Sequence, residues 1–76
     1  MIKELDRIIL KSDLPEHGLK SGDIGTVVLV HGNGEGYEVE FVSLDGETVA
    51  VVSLYADQVR QIGRGEIAHA RSLAST

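Results

Sequence analysis

Residues 37–42 alternate with a strict period of two. Tyr37, Val39 and Phe41 fall on one side, Glu38 and Glu40 on the other. That period fits a half-buried strand with one wet face and no helix. Turn chemistry stands at each end. Gly32-Asn33-Gly34-Glu35-Gly36 precedes the strand and Asp45-Gly46 follows it. Asn-Gly and Asp-Gly supply the φ > 0 positions of hairpin turns. The segment is therefore the middle strand of a meander, because sequential strands joined by short turns usually pair.

The neighbours agree. Ile24–His31 is dense in β-branched residues and bounded by glycine, as a strand buried on much of both faces would be. Gly25 inside it predicts a bulge or a sharp bend. Glu47–Tyr55 is a fourth strand and Val59–Ile62 a short closing one, with Ala56-Asp57-Gln58 as one 3₁₀ turn between them. Leu5–Lys11 is the first strand. Residues 12–25 form a long structured loop, in which Pro15 biases Leu14 away from helix. Leu14 and Leu19 are expected to pin that loop to the core. The fold class is all-β: a small five-stranded SH3-like barrel over residues 1–62, with a short C-terminal helical or flexible tail over 63–76. The expected core is Ile8, Leu10, Leu19, Ile24, Val27, Leu29, Val39, Phe41, Val49, Val51, Leu54 and Val59. In the tail, Ile67, Ala70 and Leu73 make a weak helical stripe after Gly63-Arg64-Gly65. A helix this short is marginal alone, so the tail either frays or orders on a partner.

A chain of 76 residues buries only about 60% of its unfolded surface. That leaves room for one core and a shallow surface site, not a deep enclosed pocket. There is no cysteine, which removes disulfides, thiolate metal sites and a cysteine nucleophile. No basic-then-apolar leader opens the chain, and its longest uncharged stretch, Ile24–Gly34, is too short to span a bilayer. A cytoplasmic location is expected. The net charge is −5, and no Lys or Arg occurs between Ser21 and Val59. A duplex-binding surface needs clustered cations, so nucleic acid is disfavoured.

Chemistry-bearing residues are sparse. His17, His31 and His69 show no H-x-x-x-H or H-E-x-x-H spacing, and only Glu16-His17 is an adjacent pair. The histidines read as surface residues. None of Ser12, Ser21, Ser43, Ser53, Ser72 and Ser75 lies in a G-x-S-x-G elbow. Asp6, Asp13 and Asp23 flank turns and strand starts, where Asp bonds to backbone N–H groups. The glycine loop at 32–36 lacks the Lys-Ser/Thr of a phosphate loop and opens no helix. One constellation stands out: Glu35, Glu38, Glu40 and Glu47. It reads as an ordinary solvated face, or as an acidic patch that steers a basic protein partner. Of the two tyrosines, Tyr55 is the better candidate for exposure, and Tyr37 belongs to the core or its margin.

The runs GLKSGDIGTVV (18–28), GYEVEF (36–41), DGET (45–48) and VRQI (59–62) together resemble a family of small bacterial proteins of unknown function, common in cyanobacteria. The similarity extends from about Leu5 to Ile62 and into EIAHAR. The GD-x-G-TV motif and the alternating strand are also similar to other SH3-like barrels. Among these are the accessory subunit of photosystem I, the variable chain of ferredoxin–thioredoxin reductase and the barrel of the nitrile hydratase β subunit. Those wider likenesses rest on turn glycines and core hydrophobes, so they carry architecture and not function. The closer resemblance implies an SH3-like domain paired with a second small protein encoded beside it, as in toxin–antitoxin modules.

The expectation is a non-enzymatic protein-binding module with no cofactor and no metal. It takes another protein, encoded nearby, or a second copy of itself. Glu35, Glu38, Glu40, Glu47 and Tyr55 are the contact residues expected on the barrel. Ile67, Ala70, Arg71 and Leu73 are those expected on the tail. Two alternatives remain open: a nucleic-acid- or ribosome-associated SH3-like module, and a small-ligand or metal-binding subunit of an enzyme that gathers His17, Glu16 and His31.

Overall fold

In a computed structural model, residues 1–73 are described. Five strands form one antiparallel sheet: β1 (Arg7–Leu10), β2 (Ile24–His31), β3 (Gly36–Val42), β4 (Thr48–Tyr55) and β5 (Val59–Gln61). Their order is β4-β3-β2-β1-β5. β2, β3 and β4 are the expected meander, while β1 pairs with both β2 and β5 and so joins the two ends of the chain. Single 3₁₀ turns occupy Pro15–His17 and Ala56–Gln58. The architecture is all-β and β-barrel-like, and among the described residues no helix is long and apolar enough to cross a membrane.

The sheet curls around Ile8, Leu10, Val27, Val39 and Phe41, with Tyr37, Leu54 and Val59 closing the core. Leu14 and Leu19 pin the long loop as expected. They form an isolated bridge with reciprocal N–H···O bonds of 2.9 and 3.1 Å, and both are buried. Gly25 is where β2 turns in toward β3. A Cβ there would lie 2.5 Å from Val39 Cγ1 and 2.9 Å from Phe41 Cε1. Only a residue without Cβ allows that approach.

The core departs from the sequence reading at two strands. Leu29 is 44% exposed and Val51 is 55% exposed. Along β2 the partner of Val27 is Val39, but the partner of Leu29 is Glu38. One extra residue at Val28 therefore bulges the strand, and every later side chain changes face. Val30, not Leu29, packs on the core. A second register shift lies between Phe41 and Val42, opposite Val49 on β4. Ala50, Val52 and Leu54 point inward as a result, and Val51 joins Glu40 on the outer face. Ile24 and Val49 are half-buried.

Two smaller expectations change. In the β2–β3 turn the positive φ values belong to Gly32 (+58°) and Gly34 (+98°), and Asn33 is not left-handed. The His31 carbonyl accepts from both Gly34 and Glu35 N–H, so the loop spans four residues and is wider than a two-residue hairpin. The tail is not helical: residues 62–73 are irregular apart from a turn at 64–65. Ile67 is 92% exposed, so no apolar stripe forms. The last residues of the tail, 74–76, which include Ser75, lie outside the described residues.

Candidate functional site

Strand pairing builds the outer face of β2–β3–β4 in rows. Leu29, Glu38 and Ser53 share one row, and Thr26, Glu40 and Val51 another. His31 and Tyr55 flank Gly36 in a third. The two glutamates lie two residues apart on one strand, about 7 Å along the face. Exposed apolar groups surround them: Leu29, Val42, Val51 and, at 75% exposure, Tyr55.

Each glutamate is held by side chains on the adjacent strands. Glu38 Oε2 accepts from Ser53 Oγ at 2.6 Å and lies 2.6 Å from His31 Nε2. The hydrogen bond with His31, then that from Ser53, hold the Glu38 carboxyl below its ordinary range. Thr48 Oγ1 donates to Glu40 Oε2 at 2.7 Å. Both carboxylates are thus fixed in place, and Glu38 is held in its charged form. The Ser53–Glu38–His31 chain is not a nucleophile relay. The carboxylate stands in the middle, so the imidazole does not meet the hydroxyl it would need to deprotonate.

The other expected residues are dispersed. Glu35 sits in the β2–β3 turn and Glu47 at the start of the β3–β4 return, so the four glutamates line one strand and its two ends and form no single cluster. Glu16 and His17 lie on the first 3₁₀ turn, His31 ends β2 and His69 is on the tail. Among the described residues no group of three or more His, Asp or Glu is placed to hold a metal ion. Asp6, Asp13 and Asp23 accept from the backbone N–H groups of Lys3, Ser21 and Lys20, as turn aspartates do.

The tail is clamped to the opposite half of the barrel by two arginine–carboxylate pairs. Arg60 on β5 meets Glu66 with two parallel bonds of 2.9 and 2.7 Å, and Gly63 N–H also donates to that carboxylate. Arg71 Nε and Nη2 donate to the two oxygens of Asp23 at 2.9 and 2.5 Å, and Nη2 also reaches the Gly18 carbonyl. Such fork geometry fixes orientation as well as charge. These bonds offer residues 66–71 more than a single unsupported helical turn does, which accounts for the absent helix. Between tail and barrel runs an open groove of about 570 Å³, with Ile9, Ile24, Val42 and Val49 on one wall and Ile67 and Leu73 on the other. Of the tail residues expected to contact a partner, Arg71 is therefore engaged within the chain, while Ile67, Ala70 and Leu73 remain exposed.

The clamp has a pH signature. The Arg60 guanidinium, then the Gly63 N–H, hold the Glu66 carboxyl at about 2, down from 4.5. Burial pushes Asp23 up, but the Arg71 and Lys20 contacts together outweigh it, and its pKa falls below 3.8. A depressed carboxyl favours the clamped state above its unclamped pKa and loses that effect as pH falls through the clamped value. The tail should therefore stay attached at neutral and mildly acid pH. Carbon-detected NMR titration of Glu66 is expected to show a midpoint near 2. Arg60→Ala should raise it toward the ordinary carboxylate range, with the Gly63 N–H still holding it partly down, and an unmoved midpoint would remove the pair as its cause.

Sequence reading did not anticipate Asp23–Arg71, Arg60–Glu66 or the Ser53 and Thr48 contacts. The first joins residues 48 positions apart and leaves no local signal. Ser53 and Thr48 could have been found once β3 and β4 were put in register, since each faces a glutamate across or near its pair.

Residues 4–61 match the model of a family described as a domain of unknown function, DUF4926. No curated protein matches, and no solved structure matches.

Proposed function

As the chain belongs to the DUF4926 family, its role is read from its surface, and we propose that it is a non-enzymatic protein-binding module built on an SH3-like barrel. The strand order β4-β3-β2-β1-β5, with a 3₁₀ turn before the last strand, supports that barrel type. The observation that carries the binding role is the outer face of β2–β3–β4. Leu29, Val51 and Tyr55 are solvent-facing around two fixed carboxylates, and no cation occurs between Ser21 and Val59. Exposed apolar side chains set among charges favour interaction with a protein surface, and a field of one sign steers an oppositely charged protein. Nucleic acid would be repelled by the same field. The specific form proposed is the small antitoxin or accessory subunit of a two-protein bacterial system, acting in the cytoplasm.

Co-purification from the native host tests this. The full chain should retain a second protein in stoichiometric amount. A variant carrying Leu29→Lys and Tyr55→Lys should lose it while keeping its melting temperature, since both positions are exposed. A variant ending at Ile62 separates the tail's share of the contact. A full chain that comes down alone would remove the proposal.

A further inference from the structure

Among the described residues β4 ends the sheet: it is paired with β3 and with no other strand. Alternate residues of an antiparallel strand aim N–H and C=O to opposite sides. Ala56 N–H goes to Glu35 O on the β3 side, whereas Tyr55 N–H goes to its own Gln58 Oε1 at 2.8 Å. By alternation, Leu54 and Val52 face β3, and Ser53 and Val51 face away from it. The far end of the open edge is thus capped by Gln58, and Val51 and Ser53 are left with unpaired backbone groups. Natural edges are usually blunted by Lys, Pro or inward charge. β4 carries none of these: Thr48 to Ala56 contains no charged residue and no proline, and its bulge at Val49 lies short of the open Val51–Ser53 stretch.

From this edge we infer that β4 takes an extended segment of a partner protein as a sixth strand, one whose apolar residues alternate and whose ends are cationic. The inference rests on the protein-binding reading and adds its mode and its ligand chemistry. Backbone bonds to Val51 and Ser53 supply the register, as in strand addition generally. Val51 and Tyr55 offer side-chain contacts on the outer face. Charge sets the ends: Asp45 and Glu47 precede the strand and Asp57 follows it, all exposed. Glu38 and Glu40 lie one strand further in, about 10 Å from the added strand. No Lys or Arg from this part of the chain competes for them. A second copy of the chain would bring the same carboxylates to the junction, so it fits less well than a cationic strand.

The test uses the full chain, labelled with ¹⁵N, and two synthetic peptides of alternating Val and Thr, one ending in lysines and its twin in glutamates. The lysine peptide is expected to slow amide exchange at Val51 and Ser53 and to bind about tenfold more tightly than its twin at low salt. Val51→Pro removes one edge donor and no β3 bond, so it should abolish binding, while Val51→Thr should retain it. Equal binding of the two peptides, protection elsewhere, or no binding would each overturn the inference. So would Val51 and Ser53 amides already protected in the free protein. If a native partner still co-purifies with Val51→Pro at full yield, strand addition fails and the protein-binding reading stands. If no partner co-purifies with the unaltered chain, the broader reading fails as well.

Discussion

Gly25→Ala is expected to lower the melting temperature by roughly 12–24 °C, the shift that about 3 kcal/mol produces in a domain of this size. The added methyl would meet Val39 Cγ1 at 2.5 Å and Phe41 Cε1 at 2.9 Å, with the Glu40 carbonyl at 3.1 Å. Val39 is fully buried and Phe41 nearly so, which leaves neither side chain a free direction of escape. Relief requires β2 to move away from β3 where the two halves of the sheet meet. Total stability for a chain this long is only about 4–11 kcal/mol, so the loss is a large share of it. Thermal melts followed by circular dichroism measure it. Adding Val39→Ala removes the nearest clash, and the double variant should be less destabilised than the two single losses combined. An unchanged melt in Gly25→Ala would mean that β2 does not approach β3 this closely.

Phe41→Ala carries the second large effect, about 3–5 kcal/mol. The ring is the only phenylalanine side chain in the protein, lies on the core and is 2% exposed. Urea denaturation should show the midpoint falling with little change in slope. Leu29→Ala and Val51→Ala supply the contrast. Both are apolar residues in strands, yet both lie on the outer face and should cost well below the 2–5 kcal/mol of a buried Leu→Ala. If Leu29→Ala proved as damaging as Phe41→Ala, the bulge at Val28 would be misplaced.

Leu29 also shows where the sequence stops being legible. Strand existence and order follow from turn residues and β-branched runs, which act locally. The face a side chain occupies follows from register, and one bulged residue reverses it. Nothing in IGTVVLVH distinguishes Val28 as the extra residue. The partner strand does, because Glu38 must stay on the wet side and Leu29 is paired with it. Tyr37, Val39 and Phe41 were legible because Glu38 and Glu40 leave only one arrangement with the charges in water. The acidic face was legible in part, since Glu38 and Glu40 share a strand. Glu35 and Glu47 read as nearer than they are because their turns lie at opposite ends of β3. The tail was least legible. Its spacing suggests a helix, but its fate is decided by the Arg60–Glu66 pair and by Asp23, which lies 48 positions from Arg71.

The two clamps also change how the molecule looks to an approaching ion. Arg60 and Arg71 are spent on Glu66 and Asp23, so of seven cations and twelve anions, five and ten remain available. The total is unchanged, but the free anions now outnumber the free cations two to one. The field therefore reaches outward from the meander half with little internal compensation. At roughly 0.15 M salt that reach is about 8 Å, and at tenfold lower salt it is several times longer. For the basic partner proposed above, encounter would thus be governed by ionic strength through its association rate, and the lifetime of the complex by the short-range contacts proposed at β4.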